Sequence, residues 1–180
     1  LEHITTAAAV NFVMKHGHTR LGATITLHHL MLTAEAVAGS DHPEHFTCMP
    51  VAKTEDDRLA ILAAATSGDQ HFFLGTDSAP HPLSKKESSE PPAGIFTAPV
   101  ALELYTQLFD HAEALDNLEA FASLNGARFY GMPPNESTIT LERNTWTVDN
   151  QVTLPRNDVI RPFGYHEREE VRLPIEWRIV

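Results

Sequence analysis

Two hydrophobic rhythms alternate along this chain. Short runs of β-branched and aromatic residues are followed by longer stretches whose apolar residues recur at helical spacing, the pattern of strands leading into helices. Residues 1–4 read as the end of a first strand. Thr5 or Thr6 suits the N-cap of a helix over Ala7–His16, with Lys15 and His16 at its negative end and Gly17 just beyond. Residues 21–27 read as a second strand with His28-His29-Leu30 at its tip, followed by helix or loop to Ser40. A third short apolar run spans 46–51 and is closed by proline. Thr54 caps a strong helical pattern that runs to Thr66, with acids in its first turn.

The fourth strand, Phe72–Leu74, ends abruptly in Gly75-Thr76-Asp77, and Pro80-His81 follows. A loop rich in Ser, Pro and charge covers 78–97; a loop of that length in a compact domain is usually functional or disordered. Pro99 opens a helix to about Phe109. A shorter helix over 118–124 is expected to break at Asn125-Gly126. Beyond Ser137 the texture changes, with short strands expected over 138–141 and 146–148 in a charged, proline-punctuated tail. Residues 1–136 form the expected main unit and 137–180 a C-terminal appendage, packed on that unit or on a neighbouring subunit. Strand-helix alternation implies an α/β fold with a parallel sheet and right-handed crossovers. A complete (β/α)8 barrel takes ~250 residues, so the chain holds about half of one.

Composition narrows the function. The chain has 180 residues, 42% of them hydrophobic, enough for a real core. A formal charge of -11 argues against nucleic acid and anionic membrane surfaces as partners. No apolar run reaches the ~20 residues of a membrane span. The single cysteine, Cys48, rules out an internal disulfide framework and fits a reducing compartment, so a cytoplasmic location is expected. The first residues lack the basic and apolar regions of a signal peptide, and the chain opens as if in mid-fold, so Leu1 is expected not to be the biological start.

Asp77 is the leading candidate for chemistry. A carboxylate at a strand tip can bind a divalent cation, act as a base, or cap a turn, and the buried run before it favours the first two. His3 occupies the equivalent tip of the first strand and is a candidate metal ligand. His81, with backbone around Ala93-Gly94, is placed to hold an anionic substrate group. His16 and His18 lie at the wrong end of the sheet and are read as helix-end residues, and His71 as an exposed one. One of His28 and His29 could line a pocket, although a structural role is the better reading. Lys85-Lys86 reads as a solvated pair and Cys48 as a buried, inert thiol. No glycine-rich phosphate loop, zinc ribbon or G-x-S-x-G elbow is present.

Leu74-Gly75-Thr76-Asp77-Ser78-Ala79-Pro80-His81 with Lys86-Glu87-Ser88-Ser89 resembles the signature of the dihydroorotases, amidohydrolases, in their bacterial single-function form. Glu2-His3-Ile4-Thr5-Thr6, Ala23-Thr24-Ile25-Thr26-Leu27-His28-His29-Leu30, Cys48-Met49-Pro50 with Lys53, and Ala120-Phe121 with Asn125-Gly126 and Phe129-Tyr130-Gly131 resemble further family segments in order, through about Pro133. His28 stands where the family usually has glutamine and Leu27 where it has proline. Glu90-Pro91-Pro92 stands where some members carry cysteines.

The resemblance implies the C-terminal half of a (β/α)8 TIM barrel and interconversion of carbamoyl-aspartate and dihydroorotate in pyrimidine synthesis. It further implies two zinc ions bridged by a hydroxide and a carboxylated lysine. His3 would bind one zinc; Asp77 would bind the other and shuttle the proton. His81 and backbone at Ala93 would hold the substrate carboxylate, and backbone at Met49 the ring amide. The family's H-x-H, bridging lysine, second zinc histidine, and substrate arginine and asparagine would all precede Leu1. The expected partners are therefore a small-molecule substrate, the N-terminal half of the barrel and, as a homodimer, a second copy. Rival readings are a hydantoinase- or allantoinase-like cyclic-amide hydrolase and a non-catalytic structural homologue.

Overall fold

Hydrogen bonding places three extended segments side by side. The computed structural model describes residues 1–18, 20–149, 151–155, 158–164 and 174–180. β1 (Ala23–Ile25) pairs in parallel with β2 (Phe72–Leu74), in register Ala23 with Phe72 and Ile25 with Leu74. Residues 1–4 run along the other edge of β1. The Leu1 ammonium donates to Gly22 O (2.7 Å), Thr24 N to Leu1 O (3.0 Å) and Ile4 N to Thr24 O (3.1 Å). β1 is therefore central and all three of its residues are buried, as expected for a parallel strand covered on both faces.

The connecting helices follow their caps. α1 (Ala7–His16) starts at Thr6, whose hydroxyl accepts from Ala9 N (3.1 Å). Gly17 is not a left-handed cap, since its φ is -55°. Its lack of a side chain instead admits the His71 ring, whose Nε2 would lie 3.0 Å from a Cβ there. His71 is accordingly half-buried, with Nδ1 2.7 Å from Asp69 Oδ1, and not exposed as its position before the strand suggested. Past β1 the chain turns directly into α2 (Leu27–Met31) and α3 (Ala34–Ala38), so the second strand is shorter than its apolar pattern. Residues 46–51 form no strand. A 3-10 turn at Pro43–Phe46 runs into a loop, and Pro50 removes a ladder donor from within the short run. α4 (Glu55–Thr66) starts at Thr54 as expected, and Asp57 Oδ1 accepts from Ala7 N (2.9 Å), tying α4 to the start of α1.

After β2, the 78–97 segment contains the short α5 (Leu83–Lys86) and folds back, with Ser78 bridged to Ile95. α6 (Ala101–His111) supplies buried Leu104, Tyr105 and Phe109. Tyr105 and Phe109 stack near Phe121, at 5.5 and 5.3 Å. Tyr105 Oη donates to Ile25 O (2.8 Å), holding the tip of β1. The expected break at Asn125-Gly126 does not occur: a π-helical turn, Ala120–Leu124, continues into α7 (Asn125–Tyr130). Asn125 is buried and donates to Phe72 O (3.1 Å), which keeps the helix going where propensity would end it. Gly131, at φ 66°, is the left-handed terminator.

In the tail, β3 (Leu141–Trp146) pairs antiparallel with β6 (Ile175–Ile179), which packs on α6. β4 (Val152–Thr153) pairs with β5 (Val159–Ile160). The charged run 165–173 of the tail lies outside the described residues.

Candidate active site

The parallel arrangement brings the C-terminal ends of all three extended segments to one edge of the fold. His3 leaves the first and Asp77 follows β2 by three residues. Their side chains meet across β1, with His3 Nε2 3.5 Å from Asp77 Oδ1, each partly open to solvent. Both backbones lie in the left-handed region, at φ 52° and 42°. Non-glycine residues avoid that region, and such strain collects at functional sites.

Behind His3 is a polar network that the apolar pattern of β1 conceals. Thr24 Oγ1 donates to Glu2 Oε2 (2.8 Å), accepts from His3 N (2.7 Å) and lies 3.3 Å from His3 Nδ1. Neither Glu2 nor Thr24 stands out as functional from sequence. The available signals were an acid directly before a strand-tip histidine and a lone hydroxyl inside a buried strand.

His81 and Ala93 come together. His81 Nε2 donates to Ala93 O (3.1 Å), and the turn beyond requires Gly94 at φ 146°. A Cβ at Gly94 would lie 2.8 Å from Ala79 Cβ and 2.9 Å from His81 Cδ2. Lys86 overturns the surface reading of the lysine pair. It is 5% exposed, and its Nζ donates to Pro92 O (3.0 Å) and Gly94 O (2.9 Å), clasping the residues on either side of Ala93. Burial lowers its pKa. The ammonium stays in the interior because two carbonyls face it. Met49 is exposed.

His28 and His29 are buried in α2, beside Cys48. His29 is fully engaged: Nε2 donates to Pro50 O (2.7 Å), so Nδ1 accepts from the Thr26 hydroxyl (2.6 Å). His28 has both ring nitrogens buried without a hydrogen-bond partner. Desolvation, helped by neighbouring His29 and His3, lowers its pKa to about 3, so it is neutral. Cys48 donates to Pro50 O (3.3 Å), and burial raises its pKa to about 11. A thiol so far from ionising is inert, as its apolar run suggested.

The His3 and Asp77 donors suit a divalent cation of zinc's type, which takes imidazole nitrogen and carboxylate oxygen together. Two protein ligands are too few for a stable site, so further donors must join them.

Comparison with known proteins decides the relationship. The chain is 53% identical over 179 residues to the dihydroorotase of Azoarcus sp. strain BH72, covering 99% of this chain and 50% of that one. It is 50% identical over 164 residues to the mitochondrial dihydroorotase of Arabidopsis thaliana, covering 91% of this chain and 44% of that one. Its relatives are dihydroorotases. The chain spans about half the length of these curated relatives.

Solved structures agree. The dihydroorotase of Saccharomyces cerevisiae, crystallised with 5-fluoroorotic acid, superposes over all of this chain and 50% of its own, with a TM-score of 0.84 at 29% identity. The dihydroorotase of Campylobacter jejuni gives 0.83 at 32% identity, with the same coverage. A D-hydantoinase from Thermus sp. shares the fold alone, at 0.74 and 16% identity. No family model matches the chain.

Proposed function

We propose that this chain is the C-terminal half of a dihydroorotase barrel, residues 1–136, with 137–180 as an appendage. Joined to an N-terminal half, it interconverts N-carbamoyl-L-aspartate and L-dihydroorotate. The observation that carries the reading is the meeting of His3 and Asp77 at 3.5 Å, on a chain related to dihydroorotases over almost all its length. Coverage of about half of each relative supports the need for a second half, which would bring the remaining metal ligands and substrate contacts.

Two zinc ions would be held by His3 and Asp77 together with ligands from the other half. Bound zinc supplies a water that ionises near neutral pH. Asp77 would take the proton released as water adds to the ring carbonyl. It would return the proton to the ring nitrogen as the C–N bond breaks, so one carboxylate serves as base and then acid. Its side chain is partly open to solvent, as a proton carrier to substrate requires. In the reverse direction the same carboxylate removes a proton from the carbamoyl nitrogen. His81 and backbone at Ala93 hold the substrate carboxylate, and Lys86 fixes the turn that presents Ala93. Backbone at Met49 contacts the ring amide. The acidic chain supplies no global attraction for an anionic substrate, so these local donors must.

Turnover of dihydroorotate, hydantoin and allantoin by the assembled enzyme tests the reading. Preference for dihydroorotate is expected. Preference for either of the others would replace the substrate assignment, and metal-free, inactive protein would favour a structural role.

A further inference from the structure

We propose that Glu2 and Thr24 are positioning residues that set the tautomer of His3, and so decide which ring nitrogen it offers to a metal. The inference rests on the reading of His3 as a ligand. It follows from counting protons at one hydroxyl. Thr24 Oγ1 carries a single hydrogen and two lone pairs. The Glu2 carboxylate only accepts, so at 2.8 Å it takes that hydrogen. The lone pairs are left for the His3 backbone N–H at 2.7 Å and for His3 Nδ1 at 3.3 Å. Nδ1 must therefore be the protonated nitrogen, and Nε2 bears the free lone pair.

That lone pair faces Asp77 Oδ1 at 3.5 Å. Two acceptors so close repel one another, which leaves each lone pair suited to meeting a bound cation. Metal-bound histidines commonly donate their other N–H to an oxygen that fixes ring and tautomer.

The fold locks each member of the relay. The positive φ of His3 turns its own N–H onto Thr24. Gly75 gives Thr24 its room, since a Cβ there would lie 2.6 Å from Thr24 Cβ. Tyr130 Oη donates to the other oxygen of Glu2 (3.4 Å). In the absence of Glu2, the Thr24 hydroxyl is free to turn and donate to Nδ1, which moves the ring proton to Nε2 and blocks the ligand position.

The test uses the assembled enzyme, stripped of metal and labelled with 15N. The His3 tautomer is read from its ring 15N shifts. Zinc affinity is read by competition with a chelator. Wild type should show the Nδ1–H form. Glu2→Ala should shift the ring toward Nε2–H and weaken zinc binding by about tenfold or more. Glu2→Gln, whose amide oxygen still accepts, should keep the wild-type tautomer. Thr24→Val should weaken zinc binding and Thr24→Ser restore it. Glu2 is exposed, so the Ala–Gln contrast decides the matter even if Thr24→Val fails to fold. An Nε2–H wild type, or a Glu2→Ala protein unchanged in tautomer and affinity, overturns the proposal. His3→Ala separates the two claims: zinc bound as in wild type refutes His3 as a ligand, whereas zinc loss there beside an unchanged Glu2→Ala refutes only the positioning pair.

Discussion

His3 Nε2 and Asp77 Oδ1 lie 3.5 Å apart, each carried past the end of its own extended segment by a backbone in the left-handed region. Strain of about 1–3 kcal/mol is expected at each residue, and at His3 the flanking ladder and the Thr24 network hold the backbone in place. The same strain makes the two side chains converge.

Asp77 should be dispensable for folding and indispensable for chemistry. Asp77→Ala is expected to abolish dihydroorotate turnover while thermal unfolding of the assembled enzyme stays within a few degrees of wild type. It removes a partly exposed carboxylate and no core contact. Unchanged activity in that variant would remove Asp77 from the mechanism.

The role proposed for His81 is to hold substrate. His81→Ala should raise KM far more than it lowers zinc content, since the imidazole is bonded to Ala93 O at 3.1 Å on the loop beyond Asp77. Metal loss in His81→Ala would count against this assignment.

Lys86 supports that loop from within. Lys86→Met keeps an unbranched apolar stem but not the ammonium, and leaves the carbonyls of Pro92 and Gly94 without their donor. A stability loss of about 1–3 kcal/mol is expected. A higher KM at nearly constant kcat should accompany it. Urea unfolding and steady-state kinetics check both, and a KM equal to wild type would show that the loop holds without the ammonium.

His28 makes the fold acid-sensitive. Its folded pKa of about 3 lies below the unfolded value of 6.5, so below pH 6.5 the unfolded chain binds the proton that the folded chain refuses. Stability contributed by neutral His28 is complete above pH 6.5 and is lost as pH falls toward 3. The linkage slope is about 1.4 kcal/mol per pH unit, so roughly 2 kcal/mol disappears by pH 5. His28→Gln should flatten this part of the curve in urea titrations between pH 7 and pH 5. Parallel curves for the two proteins would show that His28 takes up a proton without unfolding.

Much of this was legible in the sequence. Thr6, Thr54 and the apolar spacing marked α1 and α4, and the run ending at Asp77 marked β2 and the tip beyond it. Those features are local, with caps and periodicity written in neighbouring residues. The failures were long-range. Nothing adjacent to Lys86 announces the carbonyls of Pro92 and Gly94 that bury it. The helix at Asn125 persists because that side chain reaches Phe72, far away in sequence. Residues 46–51 look like a strand until Pro50 is weighed against the need for ladder donors. The relay from Glu2 through Thr24 to His3 links residues that only the parallel register brings together.

The central claim is that this chain supplies half of a zinc-dependent dihydroorotase site. The direct measurement is dihydroorotate hydrolysis by the chain co-expressed with an N-terminal dihydroorotase half, isolated as a complex and supplied with zinc, against each half alone. The complex should turn over substrate and each half alone should be silent. Turnover by this chain alone, or an isolated zinc-loaded complex with none, would contradict the account.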